Sequence, residues 1–541
     1  MDYIFMTRPF WFELNVPNSI VRAKYKEYFG GNDYSIENRA EAIALLSTIT
    51  GSIQDKMIIR MKCENINLTI KDLYKILDEC FHFYIRQKNA RHEMSGLNVS
   101  TASIGDTFEQ NRNMSRNVID AVNLWLENCA LYQTDLTKEY DTKSFDVDFE
   151  LFLDMYIYGL ASQALSLLSM SQKFGDKEMF YGISITSNGD VPAEVIKYHP
   201  IIYFNTLLTG NQNVFDTNGE LKNADQSIFG KGFFEEYNIK FINSLKVMSS
   251  FQKYMLSDGK IAMTIIDKDQ FIDEVGQYSN NLVDGNAFFY TFVLTKENVK
   301  DQVRKNDPII WVMNSNKYRH ELRPFICLDN DRVNISYCAI EQAKQLWVSI
   351  FNNGGMSYSN CKDKLTATIE KRNEELSVKL VDILREKLRN HYTAYFDEID
   401  VQYDRIFGSK PINYGDFDLI FYTKETNELF LIEAKFFSDS LNNSGIISDY
   451  EKLYKTDGYY DHCRRRYDLV LSEPQKMETF IGAQKPVKAH FLFVSSKPLD
   501  IEFQDDDGVV SFPCLSIFDK YLEGELIVDE NDSIMRPTHV I

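Results

Sequence analysis

Cysteine is scarce in this chain, and its placement argues against two kinds of scaffold. The eight cysteines among 541 residues are scattered, with no C-x-x-C pair and no histidine–cysteine cluster at zinc-ligand spacing. A disulfide-stapled fold and a structural zinc site are therefore not predicted. We expect reduced, mostly buried thiols of the kind found in cytoplasmic proteins.

Long hydrophobic runs are also missing. The most apolar stretch, residues 155–170, is shorter than a membrane span and contains Ser162, Gln163 and Ser166. The first 15 residues mix acidic and basic side chains with aromatic ones and do not resemble a secretory signal peptide. These features predict a cytoplasmic protein with no membrane partner.

Positive charge is in short supply. Lysine and arginine number 59 against 79 aspartates and glutamates, which gives a formal net charge of −20. Phosphate backbones are bound through local positive charge, so a chain this acidic does not hold nucleic acid by general attraction. Any nucleic-acid surface is expected to be a confined basic patch.

Nucleotide-binding glycine motifs and internal repeats are absent. The sequence has no G-x-x-x-x-G-K-[ST] string and no Rossmann glycine pattern. The chain therefore lacks a recognisable nucleotide-driven motor, and any dependence on ATP would come from a partner.

The most informative segment that is present is a pair of apolar runs near the C-terminus. Residues 418–423 and 429–436 flank a short polar segment, a pattern that predicts an antiparallel β-hairpin. With the turn centred between residues 425 and 426, Asp418 lies opposite Glu433. The two carboxylates are therefore expected to meet at the open end of the hairpin.

The charged residues at this end stand where charge is costly. Glu433 and Lys435 end a run of Leu, Phe, Leu and Ile, and they share one strand face because they are two residues apart. Buried charges are rare unless they are paired or bind a metal. Asp418 and Glu433 suit Mg²⁺ or Mn²⁺, and the lysine can orient or help deprotonate a metal-bound water. Asp416 could join a second metal, or it could be a solvated acid at the strand start.

Further elements are predicted around the hairpin in the order helix, hairpin, helix, strand. An amphipathic helix is predicted over 371–390, a polar loop over 438–445, a second helix over 448–471, a strand over 489–495 and a short strand near 509–513.

With these residues, the segment 365–520 resembles the PD-(D/E)xK nuclease superfamily. Its restriction-endonuclease-like fold has a mixed sheet flanked by helices, with the active site on a strand hairpin. The resemblance implies that Asp418 is the first metal-binding acid and that Glu433 and Lys435 are the charged members of the E-x-K element. It also implies that the carbonyl of Ala434 contributes to metal binding.

Other family features are matched only in part. Phe417 stands where the family often has proline. A glutamate that family members often add from the preceding helix is matched by Glu375, with Glu374 as the alternative. The Gln-x-x-x-Tyr element of helicase-linked and exonuclease-type members is incomplete, since Tyr450 and Tyr454 lack the glutamine.

Two basic segments are candidates for contact with nucleic acid. Arg464, Arg465 and Arg466 lie on the helix predicted after the hairpin, and a second basic segment spans 385–389. Three consecutive arginines cannot all face one side of a helix, so at least one is expected to be structural.

The whole chain is predicted to be a multidomain α+β protein. Residues 1–175 form a mostly helical domain, 176–354 a mixed α/β domain and 361–541 a PD-(D/E)xK nuclease-like α/β domain with a central mixed sheet. Further predicted elements are a loop over 96–115, helices over 118–132, 148–172, 232–256 and 340–351, and strands over 182–186, 201–204, 309–313 and 324–328.

Together these features predict a Mg²⁺-dependent endonuclease acting on DNA, with Mn²⁺ able to substitute. By analogy with the family, it would cut foreign DNA in bacterial defence, gated by a protein partner or by oligomerisation. One alternative is a non-catalytic scaffold that binds nucleic acid or protein and retains the nuclease fold. Another is a nuclease that acts on RNA or branched DNA.

Overall fold

A computed structural model describes residues 23–24, 27, 34–36, 39–63, 65–94, 101–132, 148–169, 183–185, 221–252, 263–300, 318–354, 364–437, 449, 452–483, 486–497, 499, 501, 503–527 and 533–541. The predicted strands over 201–204 and 309–313 and the predicted loop over 438–445 lie outside them. Over the described ranges the fold is mixed α/β, with helices in the N-terminal region and two mixed sheets in the C-terminal half.

Among the described residues of the N-terminal region there are four long helices. They are α1 (Arg39–Cys63), α2 (Ile66–Met94), α3 (Thr101–Leu131) and α4 (Phe149–Ser169). The rings of Trp125 and Tyr158 contact each other at a tilt in their core, and the predicted helical character is confirmed. The predicted loop over 96–115 is wrong from Thr101 onward. Asn- and Ser-rich sequence has modest helix propensity, but contact with α2 and α4 along α3 outweighs it.

The middle region contains a four-stranded sheet, preceded by the antiparallel pair β1 (Tyr34–Ile36) and β2 (Ile183–Ile185). Its strands lie in the order β3 (Met263–Asp267), β6 (Arg332–Ser336), β5 (Phe325–Cys327) and β4 (Val293–Leu294). The β4–β5 pair is parallel and the other two pairs are antiparallel. The accompanying helices are α5 (Ile228–Tyr237), α6 (Phe241–Phe251), α7 (Lys268–Tyr278), α8 (Gly285–Phe292), α9 (Lys296–Val299) and α10 (Tyr337–Asn353).

Four of the elements predicted in this region fall on described residues, and three of them are present. Strands β2 and β5 and helix α10 confirm three predictions. The predicted helix over 232–256 is instead two helices, because Asn238 takes a left-handed φ of 55° and ends α5.

The C-terminal region is built on a five-stranded mixed sheet. Its order is β11 (His539–Val540), β10 (Lys488–Ser495), β9 (Glu428–Lys435), β8 (Asp416–Thr423) and β7 (Tyr395–Gln402). Strands β9 and β10 are parallel, and the other neighbours are antiparallel. The predicted register of the hairpin is confirmed, since Leu419 faces Ile432 and Thr423 faces Glu428.

Helices cover both faces of this sheet. They are α11 (Lys364–His391), α12 (Tyr403–Phe407), α13 (Tyr459–Ser472), α14 (Pro474–Ile481) and α15 (Phe518–Glu523). Leucines of α11 pack with Leu419 and Ile432 on one face. Helix α13 packs with Ile420 and Leu431 on the other face, and Tyr467 donates to the carbonyls of Leu431 and Leu492.

Three features of this region differ from the sequence prediction. The sequence does not predict strand β7, because acidic residues interrupt its apolar pattern and most of it is partly or fully exposed. The helix predicted over 448–471 is interrupted before Gly458, where Asp457 has a φ of 56°. The strand predicted near 509–513 makes isolated bridges beside β10.

Two hydrophobic cores contain residues from neighbouring regions, and the predicted domain boundaries stay a prediction. Trp125 of the N-terminal helices belongs to the same core as Ile326 and Leu328 of the middle region. Helix α11 begins with Leu365 and Ile369 packed against middle-region aromatics and continues into the C-terminal core. Within the described ranges, no helix combines the length and the apolar character needed to cross a membrane.

Candidate active site

Three strands bring acidic side chains to one corner of the C-terminal sheet. The hairpin ladder ends at the pair Leu419 and Ile432, and extending its register by one residue brings Asp418 opposite Glu433. Asp418 and Glu433 are each two residues from Ile420 and Leu431, so they lie on the sheet face that α13 covers. The structure therefore brings together the aspartate, glutamate and lysine that the sequence singles out.

Lys435 joins the two carboxylates. Its Nζ lies 3.0 Å from Asp418 Oδ2 and 2.7 Å from a Glu433 oxygen, and it stands 5.9 Å from the ring centre of Tyr459. The lysine side chain is 26% exposed, against 5% for Glu433, so it forms the rim of the site while the glutamate forms its floor.

Asp418 is also held by the backbone. The amide of Ala434 donates a 2.7 Å hydrogen bond to Asp418 Oδ2, the oxygen that also accepts from Lys435. This leaves Asp418 Oδ1 as the oxygen available for an ion. The carbonyl of Ala434 as a metal ligand stays a prediction.

Asp400 is a site residue that sequence reasoning missed. It lies on β7, where the pairing with β8 continues on both sides of it, and its own φ is 51°. Carboxylate oxygens of Asp400, Asp416 and Asp418 lie within 4.8 Å of one another. Burial raises the pKa of Asp400, and the charges of Asp418 and Asp416 raise it further. In the sequence, Asp400 stands between the apolar residues Ile399 and Val401. This apolar–polar alternation is too short to predict a strand.

Arg466, which was predicted to contact nucleic acid, is buried beside Glu433. Its side chain is 5% exposed and ion-paired with Glu433 Oε2, and it donates a 2.9 Å hydrogen bond to the carbonyl of Tyr414. Burial lowers the pKa of Arg466, opposed by the charges of nearby groups that include Asp418. Its burial leaves this arginine too little surface for a phosphate backbone.

The other arginines of the predicted basic patches carry internal ion pairs. Arg464 contacts Asp468, Asp505 and Asp507, and Arg465 contacts Asp457. In the second segment, Arg385 and Arg389 share Asp397, and Lys387 pairs with Asp519. Contact of these side chains with nucleic acid stays a prediction, and it would have to compete with these carboxylates.

The glutamate predicted from the preceding helix is not grouped with the other acids. Glu375 is 44% exposed and pairs with Arg372 one turn earlier on α11. This helix covers the sheet face opposite to that of Asp418 and Glu433, and a role of Glu375 in the site stays a prediction. A different acid of α11, Asp382, raises the pKa of Asp400 through its charge. It lies two turns beyond Glu375 and the alternative Glu374.

The charges of the corner do not balance. Asp400, Asp416, Asp418 and Glu433 supply four carboxylates, and Lys435 and Arg466 supply two cations. Carboxylates therefore outnumber cations at this corner, and an excess of negative charge with all-oxygen donors suits a hard divalent cation such as Mg²⁺ or Mn²⁺. These residues therefore fit the predicted ion.

The chain matches no protein-family model, no curated protein and no solved structure.

Proposed function

We propose that this protein is a Mg²⁺-dependent endonuclease that hydrolyses phosphodiester bonds of DNA. The observation that carries the proposal is the convergence of Asp418, Glu433 and Lys435 at the open end of one hairpin, with Nζ within 3.0 Å of both carboxylates. Two acids and a lysine in this arrangement supply the metal ligands and the cation that phosphodiester hydrolysis requires.

The fold supports the same proposal. Along the chain, helix α11 is followed by strand β7, the short helix α12, the hairpin β8–β9, helices α13 and α14 and the parallel strand β10. A mixed sheet flanked by helices, with an acidic hairpin, is what the PD-(D/E)xK resemblance implies. We therefore assign the region 361–541 to a restriction-endonuclease-like fold as part of the proposal.

Each residue has a role in the proposed reaction. Asp418 and Glu433, with the carbonyl of Ala434, would hold the ion, which supplies Lewis-acid stabilisation and an acidic water when bound. Lys435, at the exposed rim, donates to the attacking water or to a phosphate oxygen and offsets charge that builds up in the transition state.

Cleavage of supercoiled plasmid and of single-stranded DNA, each with Mg²⁺, Mn²⁺ or EDTA, tests the proposal. We expect metal-dependent nicking or linearisation by the wild type and none by Asp418→Ala or Glu433→Ala. Lys435→Ala should be slower but still show a Mn²⁺-induced rise in melting temperature. The matched control is Asp404→Ala, which removes an exposed carboxylate on α12. Equal cleavage by all of these variants would contradict the proposed site.

An inactive wild type leads to a second set of substrates and a binding test. Cleavage of RNA or branched DNA but not of linear duplex would change the substrate class and keep the chemistry. A protein that cleaves none of them and shows no Mn²⁺-induced thermal shift would be the non-catalytic scaffold.

We also propose defence against foreign DNA in a bacterial cell as the setting for this activity. Counts of phage plaques on cells that carry the wild-type gene or the Glu433→Ala gene test it. Equal counts across a panel of phages would argue against defence.

A further inference from the structure

We propose that Arg466 is a positioning residue, which fixes the Glu433 carboxylate and tunes the charge of the metal site. This inference rests on the proposed function. Arg466 itself is too buried to contact substrate, so it would act through Glu433.

The contacts of Arg466 join two parts of the site. One terminal nitrogen pairs with Glu433 Oε2 on β9, and the other donates a 2.9 Å hydrogen bond to the carbonyl of Tyr414. Tyr414 lies just before β8, the strand that carries Asp416 and Asp418. The rigid guanidinium fork therefore spans from the strand with the glutamate to the chain entering the strand with the aspartates.

The fork also selects which oxygen of Glu433 faces the other acids. With Oε2 held by Arg466, Oε1 lies 2.7 Å from Lys435 Nζ, which in turn contacts Asp418. Each oxygen of Glu433 is thus engaged by a different cation. An unpinned carboxylate could exchange its two oxygens, and the arginine prevents this.

The surroundings are shaped to admit the arginine. Gly415 has a φ of 79°, and a Cβ at that position would lie 2.8 Å from Arg466 Nη1. The guanidinium also lies 5.9 Å from the centre of the Phe417 ring. A buried ion pair is seldom worth its desolvation for stability alone, so a role beyond packing is a reasonable inference for this pair.

The proposed role has an unusual consequence for metal binding. Removing Arg466 removes one of the two cations that oppose the site's four carboxylates, so the attraction for a divalent ion increases. At the same time Glu433 loses its orientation, so catalysis declines. Metal affinity and turnover should therefore change in opposite directions, which simple loss of fold does not produce.

The test uses the full chain with Arg466→Met, Arg466→Lys and a control, Arg60→Met. Arg60 is also ion-paired and partly buried, but it pairs with Asp72 and Asp148 in the N-terminal helices. Mn²⁺ titrations of the melting temperature give the midpoint of metal binding. Plasmid cleavage at saturating Mn²⁺ gives the rate.

For Arg466→Met we expect the Mn²⁺ midpoint to fall about threefold or more and the rate to fall about tenfold or more. Arg466→Lys restores the charge but not the fork, so its midpoint should return towards the wild-type value while its rate stays reduced. Arg60→Met should change neither.

Two results would overturn the inference. One is an active Arg466→Met protein that behaves like Arg60→Met. The other is a midpoint of Mn²⁺ binding that rises as the cleavage rate falls, which would make Arg466 a support of the fold only.

If Arg466→Met does not fold, three other variants replace it. They are Arg466→Lys, the single variant Glu433→Gln and the double variant Arg466→Met/Glu433→Gln. The double variant should then fold, because no unpaired charge is left buried, and an unfolded double variant also overturns the inference. A wild type with neither cleavage nor a Mn²⁺ shift would instead be a failure of the proposed function.

Discussion

At the scale of single residues, the backbone conformation of Asp400 places a third carboxylate at the site. Its φ of 51° lies in the left-handed region, which aspartate tolerates better than most residues. Its carboxylate then joins those of Asp416 and Asp418. Asp400 is exposed, and its pKa is raised by partial desolvation and by the charges of these two neighbours.

Replacing Asp400 by asparagine should separate the repulsion among the three carboxylates from their contribution to metal binding. Asparagine accepts the same backbone conformation, so Asp400→Asn should raise the melting temperature of the metal-free protein at pH 7 by removing repulsion. The gain should shrink as the pH falls through the raised pKa and vanish below the ordinary value of 3.8, where the carboxyl is protonated in the folded and the unfolded chain. We expect the Mn²⁺ midpoint to increase about tenfold or more. Thermal melts with and without Mn²⁺ check this, with Asp404→Asn as the control, and an unchanged Mn²⁺ midpoint would exclude Asp400 from the site.

Glu428, at the other end of β9, is a structural counterpart of the site acids. Burial raises its pKa, but contacts from His490, Thr426 and Arg536 outweigh this and hold it at about 2. Tyr392 also donates to Glu428, and Arg536 comes from the C-terminal segment. The carboxylate therefore ties that segment to the sheet.

The stabilisation from Glu428 should depend on pH. Its folded pKa lies below the ordinary value of 4.5, so the stabilisation is present above pH 4.5 and is lost as the pH falls towards about 2. We expect Glu428→Gln to cost about 2–3 kcal/mol at pH 6 and progressively less below pH 4.5. Urea unfolding at several pH values measures this difference, and a difference that is constant with pH would refute the assignment.

At the scale of elements, the chain entering β8 positions the hairpin relative to α13. The carbonyl of Gly415 accepts a 3.0 Å hydrogen bond from the amide of Tyr403 at the start of α12, while Tyr414 is held by Arg466. Gly415 combines a left-handed backbone with close contact to the guanidinium. Gly408, in the same connection, also has a positive φ, of 74°, but a Cβ added there would have no heavy atom within 4 Å. The two glycines therefore share a left-handed backbone, and only Gly415 contacts Arg466.

Alanine at these two glycines should have different costs. Both substitutions carry a conformational cost of about 1 kcal/mol, because alanine disfavours a positive φ. Gly415→Ala should cost more, because its Cβ displaces Arg466, and it should also reduce cleavage. Urea unfolding and plasmid assays of the two variants compare them directly. Equal losses of stability and activity would show that the contact with Arg466 is unimportant.

At the scale of the whole molecule, α11 connects the middle region to the C-terminal sheet. Its first turns belong to the middle core, and its later turns cover one face of the sheet. The crossing with α5 is close, since a Cβ on Gly232 would lie 2.0 Å from Thr368 Oγ1 and 2.7 Å from Thr368 Cβ. A continuous helix shared by two cores favours cooperative unfolding of both.

Gly232→Ala should test this coupling. The added methyl group overpacks the crossing, and we expect a loss of about 1–3 kcal/mol. Adding Thr368→Ala removes the nearest atom and should recover part of the loss. Thermal melts should be recorded with the aromatic signals of the middle core and with the Mn²⁺-induced shift. We expect the melting temperatures from the two measurements to fall by the same amount. A melt in which the Mn²⁺-responsive part is unaffected would indicate separate unfolding units.

The hairpin was predictable in detail because its information is local. Two apolar runs around one turn determine the register, and the register determines that Asp418 meets Glu433. Helix α11 and strand β10 were predictable for the same reason, since their apolar spacing is strong. Strand β7 was not predictable, because its pairing with β8 stabilises a sequence without an apolar repeat.

What the sequence determined by itself is therefore the composition of the hairpin: which acids and which lysine share a strand face. The tertiary structure alone decided which distant residues join them. Asp400 enters through strand pairing and Arg466 through packing of α13, whereas Glu375 lies on α11, which covers the opposite face of the sheet. Strand alternation is a local property of the chain, whereas the partners of a buried charge depend on which elements pack above it.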